Sequence, residues 1–229
     1  MRRCALLMLM SLSCIHAEII DRIGVTVGDS VITMSEIVLQ LRVAALINHQ
    51  QLKLDEPALK QAADRLIEQT LVRREMALGD YSAPDPQLVE PVLAELKRDR
   101  FAGSETAYQQ TLRQYRVSEE DLHDQLLWQL TMLRFIDLRF RPGVQVPLED
   151  IRSYYRETFV PQWKRDSQSD PPPIGTVRTK IEETLAQQQL DNLLDRWLNS
   201  MRTQLSIVFR EAAFKDAAAQ LAEASGKIP

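Results

Sequence analysis

The pattern of apolar and polar positions begins with two short alternating stretches around a glycine. Ile23, Val25 and Val27 alternate with other residues, and a second apolar stretch follows Gly28 and Asp29. Gly-Asp pairs supply the backbone angles that a two-residue turn needs, so this pattern predicts a β-hairpin. A hairpin is not stable alone, because it cannot bury both of its faces. A later segment of the chain must therefore return to cover or extend it.

Helical spacing of apolar residues dominates the region between the hairpin and residue 160. N-cap residues mark several helix starts, among them Thr33 or Ser35, Asp55 before a proline, and Ser118 with Asp121 at the capping-box position. Together these signals predict six helices, which cover roughly residues 34–52, 55–79, 86–100, 104–115, 118–140 and 147–160.

The pattern changes after residue 160. Residues 161–175 are polar and rich in proline, a composition typical of a linker. The region 176–210 then predicts a long helix to about residue 203 and a short strand over 205–209. We expect that strand to join the hairpin in a three-stranded sheet. The tail, 211–229, is rich in alanine and fits either a loose amphipathic helix or a disordered segment.

These elements predict a mainly α fold. It combines an N-terminal β-hairpin with a helical bundle and is completed by a long C-terminal helix and a short closing β-strand. The linker is short, so the sequence leaves open whether the C-terminal helix packs within one chain or is exchanged between two chains of a homodimer.

The first 17 residues predict a secretory signal peptide. Arg2 and Arg3 precede a short apolar stretch, and Ala17 suits the position before the cleavage site. Two alternatives are lipidation at Cys14 and an uncleaved anchor. After cleavage we expect no segment that spans a membrane.

Cleavage after residue 17 limits which reactive and metal-binding side chains the mature chain contains. It removes both cysteines, which excludes a thiol nucleophile and a cysteine-based metal site. Removing Arg2 and Arg3 leaves 26 basic and 32 acidic residues, a balance that argues against nucleic acid as the main partner. His49 and His123 are the histidines that remain. We expect no metal and no cofactor.

Motifs of catalysis are also missing from the sequence. It contains no G-x-S-x-G nucleophile elbow and no glycine-rich phosphate loop. Its carboxylates lie on predicted helix faces beside lysine and arginine, as is typical of solvated surfaces. We therefore expect the protein not to be an enzyme.

Aromatic and methionine side chains are the remaining candidates for a binding site. Core packing explains each of them singly. As a group they favour a groove for extended apolar peptide, because such side chains adapt to varied ligands. The candidates are Trp128, Met132, Tyr154, Tyr155, Phe159, Trp163, Trp197 and Met201.

The order of four segments resembles a known family. DRIGVTVGDSVITMSEI is followed by DEPALKQAADRLIEQTLVRREMA, by VSEEDLHDQL and then by VPLEDIRSYY. Over residues 18–160 this order resembles the N-terminal chaperone domain of the SurA family. Members of that family are periplasmic chaperones for outer-membrane proteins. The segment VRTKIEETLAQQQLDNLLDRWLNSMR resembles the family's C-terminal helix, which folds back with its strand onto the N-terminal domain.

The resemblance also shows a large departure. SurA-like proteins usually carry one or two parvulin-type prolyl isomerase domains between these halves, and here only the 161–175 linker occupies that place. The resemblance therefore implies a chaperone without isomerase activity.

Three functional hypotheses follow. The first is an ATP-independent periplasmic holdase that binds unfolded outer-membrane or exported polypeptides in an apolar groove between the N-terminal helices and the C-terminal helix. The second is a dedicated envelope assembly partner that binds one defined protein. The third is a member of the peptidyl-prolyl isomerase family that is inactive or has a divergent site.

Overall fold

The fold is described from a computed structural model that covers residues 21–79, 81–167 and 169–225. The predicted signal peptide, with Cys14, lies outside these residues. The strands are β1 (Ile23–Val27), β2 (Ser30–Thr33) and β3 (Ile207–Phe209). The helices are α1 (Met34–Asn48), α2 (Glu56–Leu78), α3 (Val89–Phe101), α4 (Glu105–Tyr115), α5 (Glu119–Arg139), α6 (Leu148–Tyr154), α7 (Val160–Asp166), α8 (Ile174–Gln204) and α9 (Glu211–Ser225).

The predicted three-stranded sheet is present, and its central strand is the first one. The order is β2-β1-β3, and both pairings are antiparallel. Val25 pairs with Phe209, and Val27 pairs with Ile207. In the turn, Gly28 has a φ of +55°, as a hairpin with glycine at the first central position requires. The mainly α fold with a closing C-terminal strand is therefore confirmed.

Side-chain caps start the helices where the sequence predicted them. Thr33 caps α1 in a capping box with Glu36, and Ser118 caps α5 in a capping box with Asp121. Asp55 caps α2, where Pro57 lies in the first turn. Each cap satisfies a backbone N–H group that the helix itself leaves without a partner.

Two apolar clusters hold the fold together, and α1 contributes to both. The main core joins the sheet, α2, the C-terminal half of α5 and the C-terminal half of α8; Met34, Ile37 and Leu41 are its α1 members. The second core joins α3, α4 and the N-terminal half of α5; Val43 and Leu46 are its α1 members. Helix α1 is thus buried on two sides and fixes the two cores relative to each other.

Some predicted boundaries are wrong. Helix α1 ends at Asn48 and not near residue 52, because His49 adopts a left-handed conformation (φ 50°) and closes the helix. The third predicted helix starts later, since Pro86–Leu88 form a 3₁₀ turn before α3 begins at Val89.

Both ends of the predicted linker, 161–175, belong to helices in the structure. A π-helical turn, Tyr155–Phe159, continues α6 directly into α7, which ends at Asp166. We name residues 148–166 the aromatic helix. Helix α8 begins at Ile174, so the connection between the two is residues 167–173. Pro161 follows the π-helical turn inside this continuous helix, and it cannot donate the backbone hydrogen bond that other residues make to the preceding turn.

The start of α8 packs against the aromatic helix and not against the main core. Ile151 and Ile181 are both buried, yet neither belongs to the two larger clusters. The end of α8 returns to the main core through Leu190 and Leu198. The two helices therefore form a hairpin whose base is continuous with the core. Exchange of α8 between two chains stays a prediction.

Within the tail, residues 211–225 form helix α9, as the first of the two alternatives for its composition predicted. Phe214 is fully buried in the main core, and its ring centroid lies 5.9 Å from that of Phe209 in β3. Arg22, just before β1, forms an ion pair of 3.1 Å with Asp216. The helix thus covers one face of the sheet. No helix in the described ranges is long and apolar enough to cross a membrane.

We expect Phe214→Ala to lower the free energy of unfolding by about 3–5 kcal/mol, because it removes a buried ring and leaves a cavity. Urea unfolding followed by circular dichroism would measure the change. The exposed neighbour provides the control, Lys215→Ala, which should alter stability by less than about 0.5 kcal/mol. Equal effects of the two substitutions would contradict the packing of α9.

Candidate binding clefts

Three helix faces and one strand converge on a cleft. Residues spaced three and four apart place one face each of α1, α2 and α5 toward it, and strand β2 lies along its side. The cleft has a volume of about 610 Å³. Its lining residues are Ser30, Val31, Ile32, Glu36, Leu39, Gln40, Val43, Leu66, Gln69, Thr70, Arg73, Arg74, Asp121, Asp124, Gln125 and Trp128.

A second cleft of about 540 Å³ adjoins the first along α2 and α5. Both clefts are lined by Arg73, Asp124 and Trp128. The second cleft adds mostly apolar groups, namely Met76, Ala77, Tyr81, Ala83, Leu127 and Thr131. We name the two together the Trp128 groove. Helices α2 and α5 form walls that continue from the first cleft into the second.

A cation over an aromatic ring marks the junction of the two clefts. The guanidinium carbon of Arg73 lies 5.1 Å from the centre of the Trp128 ring. Trp128 is 8% exposed and belongs to the main core. The indole is therefore anchored on the core side, and the arginine covers its other side. Such a contact holds a positive charge above an apolar wall.

Two of the acidic groups in the first cleft are already engaged by the backbone. Glu36 Oε2 accepts a hydrogen bond of 2.7 Å from the Thr33 N–H group. Asp121 Oδ2 accepts one of 2.8 Å from the Ser118 N–H group. These carboxylates stabilise helix starts and stay where the caps hold them. The groove combines apolar walls with fixed polar groups at its rim.

Strand β2 offers an open edge to the first cleft. It pairs with β1 on one side, and the part of the chain that the structure describes places no strand on its other side. Val31 on this strand is 49% exposed and lines the cleft. An edge strand presents backbone donors and acceptors with which another extended chain can pair.

Four of the eight candidate residues from the sequence lie in or against the main core. Trp128 is buried in it, while Met132, Trp197 and Met201 pack on it half-buried. Trp197 contacts the rings of Phe135 and Phe140, at centroid distances of 5.4 and 6.1 Å. Within this set Trp128 lines the groove. None of the described residues that line the two clefts belongs to α8.

The other four candidates lie together on the aromatic helix. Tyr154, Tyr155, Phe159 and Trp163 are all half-buried. The structure therefore divides the eight residues between two places and does not bring them into one groove.

Sequence reasoning missed most of the groove. Arg73 and Arg74 fitted the interpretation of a solvated charged face, and Gln40 drew no attention. Gln40 is nevertheless 8% exposed and lines the cleft. The available signal was a polar residue inside the apolar stripe of α1, since a helix that buries its stripe usually keeps polar side chains off it.

A polar cluster that connects three helices lies away from the groove. Lys97, Tyr108 and Glu119 join α3, α4 and α5, with Lys97 Nζ 3.1 Å from Glu119 Oε1. Burial, and next the negative charge of Glu119, raise the pKa of the Tyr108 hydroxyl well above its usual range. A tyrosine that keeps its proton is a poor general base. This cluster therefore fits a structural connection between three helices.

Across the described residues, no group of three or more His, Cys, Asp or Glu side chains could hold a metal ion. No protein-family model, curated protein or solved structure matches this chain.

We expect Arg73→Gln to lower the free energy of unfolding by about 0.5–1 kcal/mol relative to Arg74→Gln, because only the first substitution removes the charge over Trp128. Arg74 is the matched control, since its guanidinium lies over no ring among the described residues. Urea titration of both variants would measure the difference. Identical unfolding curves would show that the cation contributes nothing to the wall of the groove.

Proposed function

We propose that this protein is an ATP-independent periplasmic chaperone, a holdase that keeps unfolded outer-membrane or exported polypeptides from aggregating. The open edge of β2 beside the Trp128 groove is the observation that carries the proposal. The proposal also assigns the chain to the SurA-like chaperones, on the order of the sequence segments described above. Export by a cleaved signal peptide is part of it.

The shape of the groove suits an extended chain with alternating character. Segments of outer-membrane β-barrels alternate apolar and polar residues along each strand. A segment that pairs with β2 would turn every second side chain toward Val31, Leu39 and Leu66. The intervening side chains would face solvent or the polar rim. Pairing through the backbone makes such binding tolerant of sequence, as a chaperone with many clients needs.

The polar rim keeps such binding reversible. A holdase without an energy source must release its client, so its contacts have to be moderate. Arg73, Glu36 and Asp121 stand among the lining residues of the cleft and limit its apolar area. Burying a charged rim without partners costs free energy, which offsets part of the gain from apolar contact.

The test compares two exposed valines on the two edge strands. Val31 on β2 lines the groove, while Val208 on β3 is 41% exposed and does not line it. We expect the chain from residue 18 to suppress light scattering of a β-barrel protein diluted from urea at near-stoichiometric ratios. Val31→Asp should require roughly tenfold more protein, because a lost apolar contact and a buried charge weaken binding by about 1.5 kcal/mol or more. Val208→Asp should act like the unsubstituted chain.

Other results of the light-scattering test would contradict parts of the proposal. Equal loss in both variants, with circular dichroism showing them folded, would move the client site away from β2. No suppression by the unsubstituted chain would contradict the holdase. A single stoichiometric protein captured from the envelope would then support a dedicated assembly partner.

We further propose that the protein does not catalyse prolyl isomerisation. The supporting observation is that residues 167–173 join the aromatic helix to α8, at the place where SurA-like proteins carry parvulin domains. A protease-coupled assay with a proline peptide should show no rate above the uncatalysed one. A concentration-dependent acceleration would restore the isomerase hypothesis.

A further inference from the structure

Three aromatic rings on the aromatic helix form a stacked row. Tyr155, Phe159 and Trp163 follow each other at intervals of four residues. The first two rings lie 5.7 Å apart and 17° from parallel, and the next two lie 5.8 Å apart and 27° from parallel. We name these three residues the aromatic ladder. A π-helical turn lies between its first two members, a form that occurs often at functional sites.

Side chains of the ladder donate hydrogen bonds to backbone carbonyls of a proline-rich segment of the same chain. Tyr155 Oη donates to the Pro172 carbonyl at 2.9 Å, and Trp163 Nε1 donates to the Ser169 carbonyl at 3.1 Å. Pro171 and Pro172 are half-buried there. Pro173, with φ −56° and ψ 145°, has the backbone angles of a polyproline II helix.

The spacing of donors and acceptors fits a polyproline II chain. The two accepting carbonyls are three residues apart, one turn of such a helix, or about 9 Å. The two donors are eight residues apart on the aromatic helix, about 12 Å along its axis. Side chains of tyrosine and tryptophan bridge the difference. Aromatic rings that offer polar N–H or O–H groups to a preformed extended helix are the common means of binding proline-rich peptides.

We propose that the aromatic ladder is a binding site for proline-rich extended peptides of another protein, and that segment 169–173 occupies it in cis. The bound peptide would run antiparallel to the aromatic helix, with carbonyls three residues apart accepting from Trp163 and then from Tyr155. Its own segment therefore acts as an intramolecular competitor. This site is separate from the Trp128 groove and does not depend on the holdase function.

The contact between segment 169–173 and the ladder indicates which kind of peptide the site would bind. No charged group takes part in the two hydrogen bonds, so recognition rests on backbone carbonyls and ring faces. Pro171 and Pro172 contribute no N–H donor, which leaves their segment free of competing helix or sheet pairing. A competing peptide needs the same lack of donors and the same extended form.

The test uses the full chain and a labelled synthetic peptide with the sequence of residues 169–175, SDPPPIG, measured by fluorescence anisotropy. A second peptide, SDAAAIG, serves as its control. The double variant Pro171→Ala with Pro172→Ala weakens the hold of the cis segment. We expect SDPPPIG to bind this variant at least tenfold more tightly than the unsubstituted chain, and SDAAAIG to bind neither.

Substitutions at two neighbouring tyrosines distinguish an effect on peptide binding from an effect on folding. In the double variant, Tyr155→Phe keeps the stacked ring and removes the donor to the peptide. Tyr154→Phe removes a hydroxyl that makes no hydrogen bond to a described residue. We expect the first change to weaken peptide binding about five- to tenfold, the effect of one lost hydrogen bond, and the second to leave it unchanged. Trp163→Phe should act like Tyr155→Phe.

Three results would overturn the proposal. These are no peptide binding to the double variant while circular dichroism shows it folded, equal binding of SDAAAIG, and equal effects of the two tyrosine substitutions. In each case the ladder serves only to close the connection between the aromatic helix and α8. Client aggregation measured with the same proteins reports on the Trp128 groove and stays independent of these results.

Discussion

The pairing of β1 with β3 is the contact on which the rest of the structure depends. Strand β1 is central, so it needs a neighbour on each side, and the hairpin supplies only one of them. Ile207–Phe209 supply the other, and α9 then covers the sheet with the fully buried Phe214. Because β3 follows α8 directly, the same pairing brings the end of that long helix onto the main core.

The groove arises from the way one helix serves two cores. Ile37 and Leu41 of α1 belong to the main core, whereas Val43 and Leu46 belong to the second. Helix α2 belongs to the main core, whereas α5 passes from the second core into the main core, and the cleft is lined by α1, α2 and α5. Trp128 lies at the floor of this space, where its ring is buried by the core and covered by Arg73. The groove is therefore a by-product of the scaffold that makes the protein stable.

Local patterns predicted the elements well, and they failed where distant residues decide. The turn at Gly28 and the capping boxes at Thr33 and Ser118 depend on neighbouring residues, so the sequence displays them directly. The third strand was predicted because a two-stranded hairpin is not stable alone. By contrast, the polar composition after residue 160 concealed a helix that the aromatic ladder stabilises. The polar residues of the groove show no period of their own, because three separate helices contribute to one surface.

The position of β1 in the sheet has a consequence for the order of folding. Residue 25 pairs with residue 209, so contacts of very long sequence separation complete the central strand. A chain that emerges amino end first from a ribosome therefore cannot complete this sheet until residue 209 has emerged. Loop closure over such a distance is slow relative to local helix formation. The helices can therefore form well before the sheet, whose central strand stays without its second neighbour until β3 is available.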